Sequence, residues 1–158
     1  MLMVKISSRW VFMIVLVSSF LLVIAGHWLS GRLQPEILLE LPHDPACDLR
    51  LGSCTSNLPE GGKVTFGIEP RTLPVLKPLA LSVSVEGVIT RRVEANFNGV
   101  DMNMGLNHAE LPAAGEGKFN GTITIPVCIR DSMEWEAKVL LHTPNGIIAV
   151  PYRFWTGK

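Results

Sequence analysis

From Lys63 onward, hydrophobic and polar positions alternate in short runs. In "KVTFGIE", Val64, Phe66 and Ile68 share one face. In "LALSVSVEG", Leu79, Leu81, Val83 and Val85 share a face, and Ser82 and Ser84 oppose them. "RRVEANF" and "FNGTITIPV" continue the style. "WEAKVLLHT" sets Trp135, Ala137, Val139 and Leu141 against Glu136 and Lys138, and "IIAVPYRFW" closes the chain. A period of two is the signature of half-buried strands. Asn98-Gly99 and Asn145-Gly146 read as type I′ hairpin turns, because Asn and Gly tolerate positive φ. Pro70, Pro74 and Pro78 break the chain between the first two strands, and Pro151 places the last strand at an edge. About six or seven short strands over some 95 residues predict an all-β fold, an immunoglobulin-like antiparallel β-sandwich over 63–158. A partly open barrel is the alternative. Trp135, Phe97 and Phe154 are expected in the core. Tyr152, the only tyrosine, is expected to cap a corner through its hydroxyl.

The start of the chain has a different pattern. "WVFMIVLVSSFLLVIAGHWL", Trp10 to Leu29, contains no Asp, Glu, Lys or Arg. A helix of about 20 apolar residues crosses roughly 30 Å of hydrocarbon. Trp10 and Trp28 bracket the run as interfacial aromatics do. Lys5 and Arg9 precede it, so the positive-inside rule puts residues 1–9 in the cytoplasm and the remainder outside an inner (plasma) membrane, in a periplasmic position. A cleaved signal peptide, with "VIA" before Gly26, is the competing reading. Both readings export the rest of the chain. The apolar run also explains a mean hydropathy of +0.31.

Residues 30–62 are rich in Pro, Gly and Ser and read as a stalk. Cys47 and Cys54 lie close together there. In an oxidising compartment they are expected to form a disulfide, with Gly52 letting the chain turn. Cys128 is then left over.

Lys plus Arg and Asp plus Glu each total 14 in 158 residues, so there is no electrostatic footprint for nucleic acid. Enzyme motifs are absent: no GxSxG, HExxH or CxxC, and no glycine-rich phosphate loop before a helix. His108, His142 and Cys128 lack the spacing of a thiol catalyst. "NGT", Asn120 to Thr122, matches the glycosylation sequon and reads more simply as a tight turn. Arg91-Arg92 reads as a solvated hairpin end. His43 and His142 read as solvated or turn residues, and Asp101 as a turn acid or a group supporting a ligand.

One cluster carries candidate chemistry. "GVDMNMGLNHAEL" holds Met102, Met104 and His108, and "PVCIRDSMEW" holds Cys128 and Met133. Thioethers and thiolates are soft donors that select Cu(I), and imidazole is a borderline donor. If Gly105 to Asn107 turn the chain, His108 returns toward Met102 and Met104. Strand order decides whether Cys128 and Met133 reach the same end. The competing use of these side chains is packing, since methionine fills irregular core gaps and a buried cysteine behaves as a small hydrophobe.

This layout, with "VDMNMGLNHAEL", "GEGKFNGTITIPV" and "MEWEAKVLL" in order, resembles the membrane-anchored YtkA-like or FixH-like domains. The resemblance covers roughly Lys63 to Trp155. It implies a small exported β-sandwich behind one N-terminal helix, of the kind found around cytochrome oxidase and copper-handling systems. It also implies Met102 and Met104 as ligands. Cys128 and the Cys47–Cys54 pair lie outside the family's pattern. Two functions are therefore expected for a non-enzymatic chain held in lipid by residues 10–29. One is binding or delivery of Cu(I) by Met102, Met104, His108 and Cys128, in respiratory oxidase maturation. The other is a structural or assembly role, binding a membrane protein partner through a loop end or a sheet edge.

Overall fold

The computed structural model describes residues 8–32, 37–105, 107–127 and 131–157. The chain divides into two compact units, Met1–Pro35 and Glu36–Lys158. The first contains one α-helix, α1 (Ser8–Arg32). Its stretch Arg9–His27 is long and apolar enough to cross a membrane. Leu, Ile, Val and Phe surround this helix on all sides, so it has no polar stripe to turn to water.

The second unit is built of strands β1 (Ile37–Glu40), β2 (Cys54–Asn57), β3 (Lys63–Glu69), β4 (Pro78–Glu86), β5 (Arg92–Gly99), β6 (Asn107–Leu111), β7 (Ala113–Gly115), β8 (Lys118–Thr124), β9 (Ser132–Thr143) and β10 (Gly146–Gly157). They form two five-stranded sheets, ordered β1-β10-β9-β5-β6 and β2-β3-β4-β8-β7. Every pairing is antiparallel except β1 with β10, which is parallel.

The alternation read from sequence sets which faces meet. Val64, Phe66 and Ile68 of β3 and Leu79, Leu81, Val83 and Val85 of β4 are buried. So are Val93, Ala95 and Phe97 of β5 and Trp135, Ala137, Val139 and Leu141 of β9. All belong to one core shared by the two sheets. Trp135 is fully buried, and its indole N–H donates to Thr156 Oγ1 at 3.0 Å. Phe97 and Phe154 meet edge to face with centroids 6.2 Å apart.

Four sequence readings change. Residues 30–62 are more than a stalk: they supply β1 and β2, and Leu49 and Leu58 are buried in the shared core. The apolar patch Ile37 to Leu41 was too short to show a period. Asn98-Gly99 is the end of β5, paired with Glu136 and Trp135, and the chain turns later, at Gly105, where φ is 75°. At the β9–β10 turn the two loop residues are Pro144 and Asn145, because Gly146 already pairs with Thr143. Asn120 to Thr122 lies inside β8, opposite Ser82, Leu81 and Ala80, and the turn comes before it, at Glu116-Gly117.

Tyr152 also departs from expectation. Its ring is buried against Phe66, with centroids 5.0 Å apart. Among the described residues its hydroxyl has no hydrogen-bond partner of good geometry, so it caps no corner. Burial pushes its pKa up to about 12, and the Ser56 side chain offsets this only in part.

The Cys47–Cys54 disulfide is formed and ties the loop before β2 to its first residue. Within that loop, Asp48 accepts the Arg50 amide through its carboxylate, and its backbone carbonyl accepts the amides of Leu51 and Gly52.

Candidate functional site

The residues singled out from the sequence fall on two sides of one sheet. β5 runs to Gly99, and the segment 100–105 crosses over its end. A Cβ on Gly99 would lie 1.9 Å from Met133 Cε, 2.4 Å from the Met102 carbonyl oxygen and 3.3 Å from Met104 Cγ. Met104 and Met133 therefore converge above Gly99, with the Met102 backbone beside them. Met133 is buried in β9 at the same parity as Trp135. Met102 and Met104 are half-buried and pack on the core. Only glycine at position 99 leaves room for them.

The loop holds its shape locally. Asn103 Oδ1 accepts the Gly105 amide at 2.9 Å, and Asn107 Nδ2 donates to the Met104 carbonyl at 3.1 Å. Asp101 is exposed on the bend.

His108 is not with the methionines. Ala109 and Leu111 of β6 turn inward and are buried, so His108 and Glu110 turn to the outer face. There His108 Nδ1 bonds Asn96 Oδ1 at 2.8 Å. The expected return of His108 to the sulfurs fails for a simple reason. β6 pairs on β5 from Asn107, opposite Phe97, and strand parity then sends residue 108 outward, opposite Asn96. Cys128 lies outside the described residues.

On that outer face a polar network exists that the sequence reading missed. Glu94 is buried, and its carboxylate pairs with the Arg92 guanidinium and with His142 Nε2 at 3.0 Å. Arg92 Nη2 also reaches Glu110 Oε1 at 2.6 Å. One ligand atom each from Glu94, His108 and Glu110 lies within 4.8 Å of the others, a spacing that could hold a metal ion. Arg92 contacts both carboxylates, so a side-chain cation already offsets part of their charge. Arg92 and His142 are accordingly more than solvated ends. The usable signal was the polar parity of positions 92, 94 and 96 in β5. It becomes a network only once the cross-strand partners are known.

A different feature stands out on β10. Ile37, Leu39 and Glu40 of β1 pair with Ile147, Ile148 and Ala149, and the Leu41 amide donates to the Ala149 carbonyl at 2.9 Å. The next rung of a parallel ladder would be the amide of residue 151 donating to Leu41. Residue 151 is proline and has no N–H, and residue 42 is also proline. Pairing stops there. In an antiparallel partner, alternate residues aim both backbone groups at the same neighbour. The Ala149 carbonyl faces β1, so Arg153 and Trp155 also face away from β9. Arg50 Nη2 donates to the Trp155 carbonyl at 2.6 Å. Among the described residues, nothing else pairs with the outward backbone groups of Arg153 and Trp155.

This free half-edge opens into a cleft of about 440 Å³. Arg153, Phe154, Trp155 and Glu134 line one side. His43 and Pro45, with Cys47 and Arg50 of the disulfide loop, line the other. Trp155 is 50% exposed. His43 Nδ1 is buried without a hydrogen-bond partner. The edge expectation from Pro151 is corrected: β10 is an inner strand between β1 and β9, and only its half past Ala149, where pairing to β1 stops, is uncovered.

The chain matches no known protein family, and no curated protein matches it.

Proposed function

We propose that the chain is a non-catalytic, membrane-anchored assembly subunit. Its exported domain, an immunoglobulin-type sandwich, takes an extended segment of a membrane protein partner as an added strand. The observation that carries this reading is the half of β10 past Ala149, where among the described residues only Arg50, on the Trp155 carbonyl, pairs with the outward backbone groups of Arg153 and Trp155, beside an exposed indole. Strand addition uses main-chain hydrogen bonds for affinity and neighbouring pockets for specificity, and both elements are present. The disulfide loop walls the edge on one side.

The orientation follows from Lys5 and Arg9 before the apolar helix, which keep the N-terminus in the cytoplasm of an inner membrane and the domain in the periplasm. The test is site-specific photo-crosslinking in cells that express the protein. A photoreactive residue replacing Trp155 is expected to label one membrane protein. The same residue at the exposed Thr122, on the other sheet, is expected to label none. Equal labelling from both positions would refute the edge as the docking site.

Binding of Cu(I) is the second reading, in line with the resemblance to oxidase-associated domains. The convergence of Met104 and Met133 above Gly99, with Met102 adjacent, supports it. It would be a thioether site without His108. Titration of the reduced chain with Cu(I) against a competing chelator tests it. An affinity unchanged by the double substitution Met102→Leu/Met104→Leu would eliminate it.

A further inference from the structure

One end of the exported domain is apolar without being enclosed. Four segments meet there: the start of β1, the β4–β5 connection, the β9–β10 turn and a 3₁₀ turn, Pro59–Gly61. Gly62 and Gly87 approach closely enough that a Cβ on Gly87 would lie 3.0 Å from the Gly62 Cα. The Arg91 amide donates to the His142 carbonyl and ties the β4–β5 connection to the β9 end. Ile37 pairs with Ile147, just past the Pro144-Asn145 turn.

Leu38, Leu39, Pro59, Val88, Ile89 and Pro144 line a groove of about 350 Å³ at this end. Among the described residues, no Asp, Glu, Lys or Arg lines it. Ile89 is 76% exposed, Leu38 60% and Ile37 48%. Apolar side chains this open, gathered in one uncharged place, mark an interaction surface.

The course of the chain identifies the occupant. Residues 33–36 are all that separates the end of the apolar helix from Ile37, the first residue of β1. A fully extended tether of that length spans at most roughly 18 Å, about 3.6 Å per residue step. The chain therefore enters the domain at this end and on a short tether. The Met102–Met104 loop lies at the opposite end of β5.

We propose that Ile37, Leu38 and Ile89 form an interfacial membrane-binding surface, seated at the headgroup–acyl boundary of the bilayer that holds the helix. The proposal rests on the anchor reading. Because the groove carries no charge, binding comes from apolar burial and does not require anionic lipid.

The test uses the full chain, isotopically labelled, in phosphatidylcholine nanodiscs with and without doxyl-labelled lipid. The amide signals of Leu38, Ile89 and Asn145 are expected to be lost with the spin label, while those of Met102 and Thr124, at the far end, persist. The double substitution Leu38→Ser/Ile89→Ser should restore the Asn145 signal and leave the rest of the spectrum intact. Signals of Leu16 and Val17 report on the anchor separately. If these helix signals are lost while Leu38 and Ile89 persist, the interfacial surface is refuted and the anchor stands. If the helix signals persist, the anchor reading itself fails. Shifts at Leu38 and Ile89 that grow with the number of chains per disc, without spin-label broadening, would assign the surface to a second copy and overturn the proposal.

Discussion

Replacing Arg153 with proline should leave the domain folded, although the change falls near the middle of a 12-residue strand. Proline in a sheet interior normally removes a ladder hydrogen bond. At Arg153 there is none to remove, because its backbone faces away from β9. What is lost is the bond from Arg153 Nε to Glu136 Oε2 at 3.1 Å, between partly exposed groups. Such a pair contributes about 0.5 kcal/mol. Proline also restricts the unfolded chain, which offsets a comparable amount. Alanine at the same position loses the side chain and keeps the amide. The proline-minus-alanine difference at 153 should therefore be within about 1 kcal/mol of zero. Residue 154 supplies the contrast. Its backbone faces β9, opposite Trp135, and its side chain is buried. There proline leaves a buried carbonyl of β9 unpaired, and the difference from alanine should be roughly 1–3 kcal/mol. Urea unfolding of the four variants, followed by the fluorescence of the buried Trp135, measures both differences. A difference at 153 as large as that at 154 would show that the Arg153 amide is engaged in the fold. The edge would then not be free.

Three further outcomes follow from the same packing. Gly99→Ala places a Cβ 1.9 Å from Met133 Cε and 2.4 Å from the Met102 carbonyl; overpacking against backbone should cost roughly 1–3 kcal/mol in urea unfolding, and Met133→Ala in the same chain should not rescue it fully, because the carbonyl remains. Substituting Cys47 and Cys54 by serine opens a loop with a sequence separation of 7, and chain entropy alone puts the cost at about 2 kcal/mol, read as a lower unfolding midpoint. Tyr152 ionises at about pH 10 in the unfolded chain and at about 12 when folded. Folding then holds a proton that the unfolded chain releases, so stability should be intact below pH 10 and fall by roughly 2–3 kcal/mol on the way to pH 12. Tyr152→Phe should flatten that part of the curve.

The core was legible because its strands alternate cleanly. Val64, Phe66 and Ile68, or Trp135, Ala137, Val139 and Leu141, declare their face by parity alone, and every one of them is buried. β1, β2 and β7 were not legible. They have four, four and three residues, too few to show a period; β1 is moreover held by β10, far away in the chain, while β2 and β7 pair with the strands that follow them. Asn98-Gly99 misled for a related reason: a strong turn dipeptide yielded to pairing with Glu136 and Trp135. The candidate chemistry divides in the same way. Met104 converges with Met133 above Gly99, with the Met102 backbone beside them, whereas His108 is set by the register of β6 on β5. Register is a tertiary property, and a one-residue difference reverses a side chain's face. Pro151 was the one local signal that pointed at the free edge of β10.

The most direct test of that edge combines the crosslink with the backbone variant. With a photoreactive residue at position 155, cells expressing the full chain should yield one membrane-protein adduct. Arg153→Ala, which keeps the outward amide, should retain the adduct, and Arg153→Pro, folded but lacking it, should lose it. An adduct of equal yield in both variants would contradict strand addition on β10 as the basis of this protein's function.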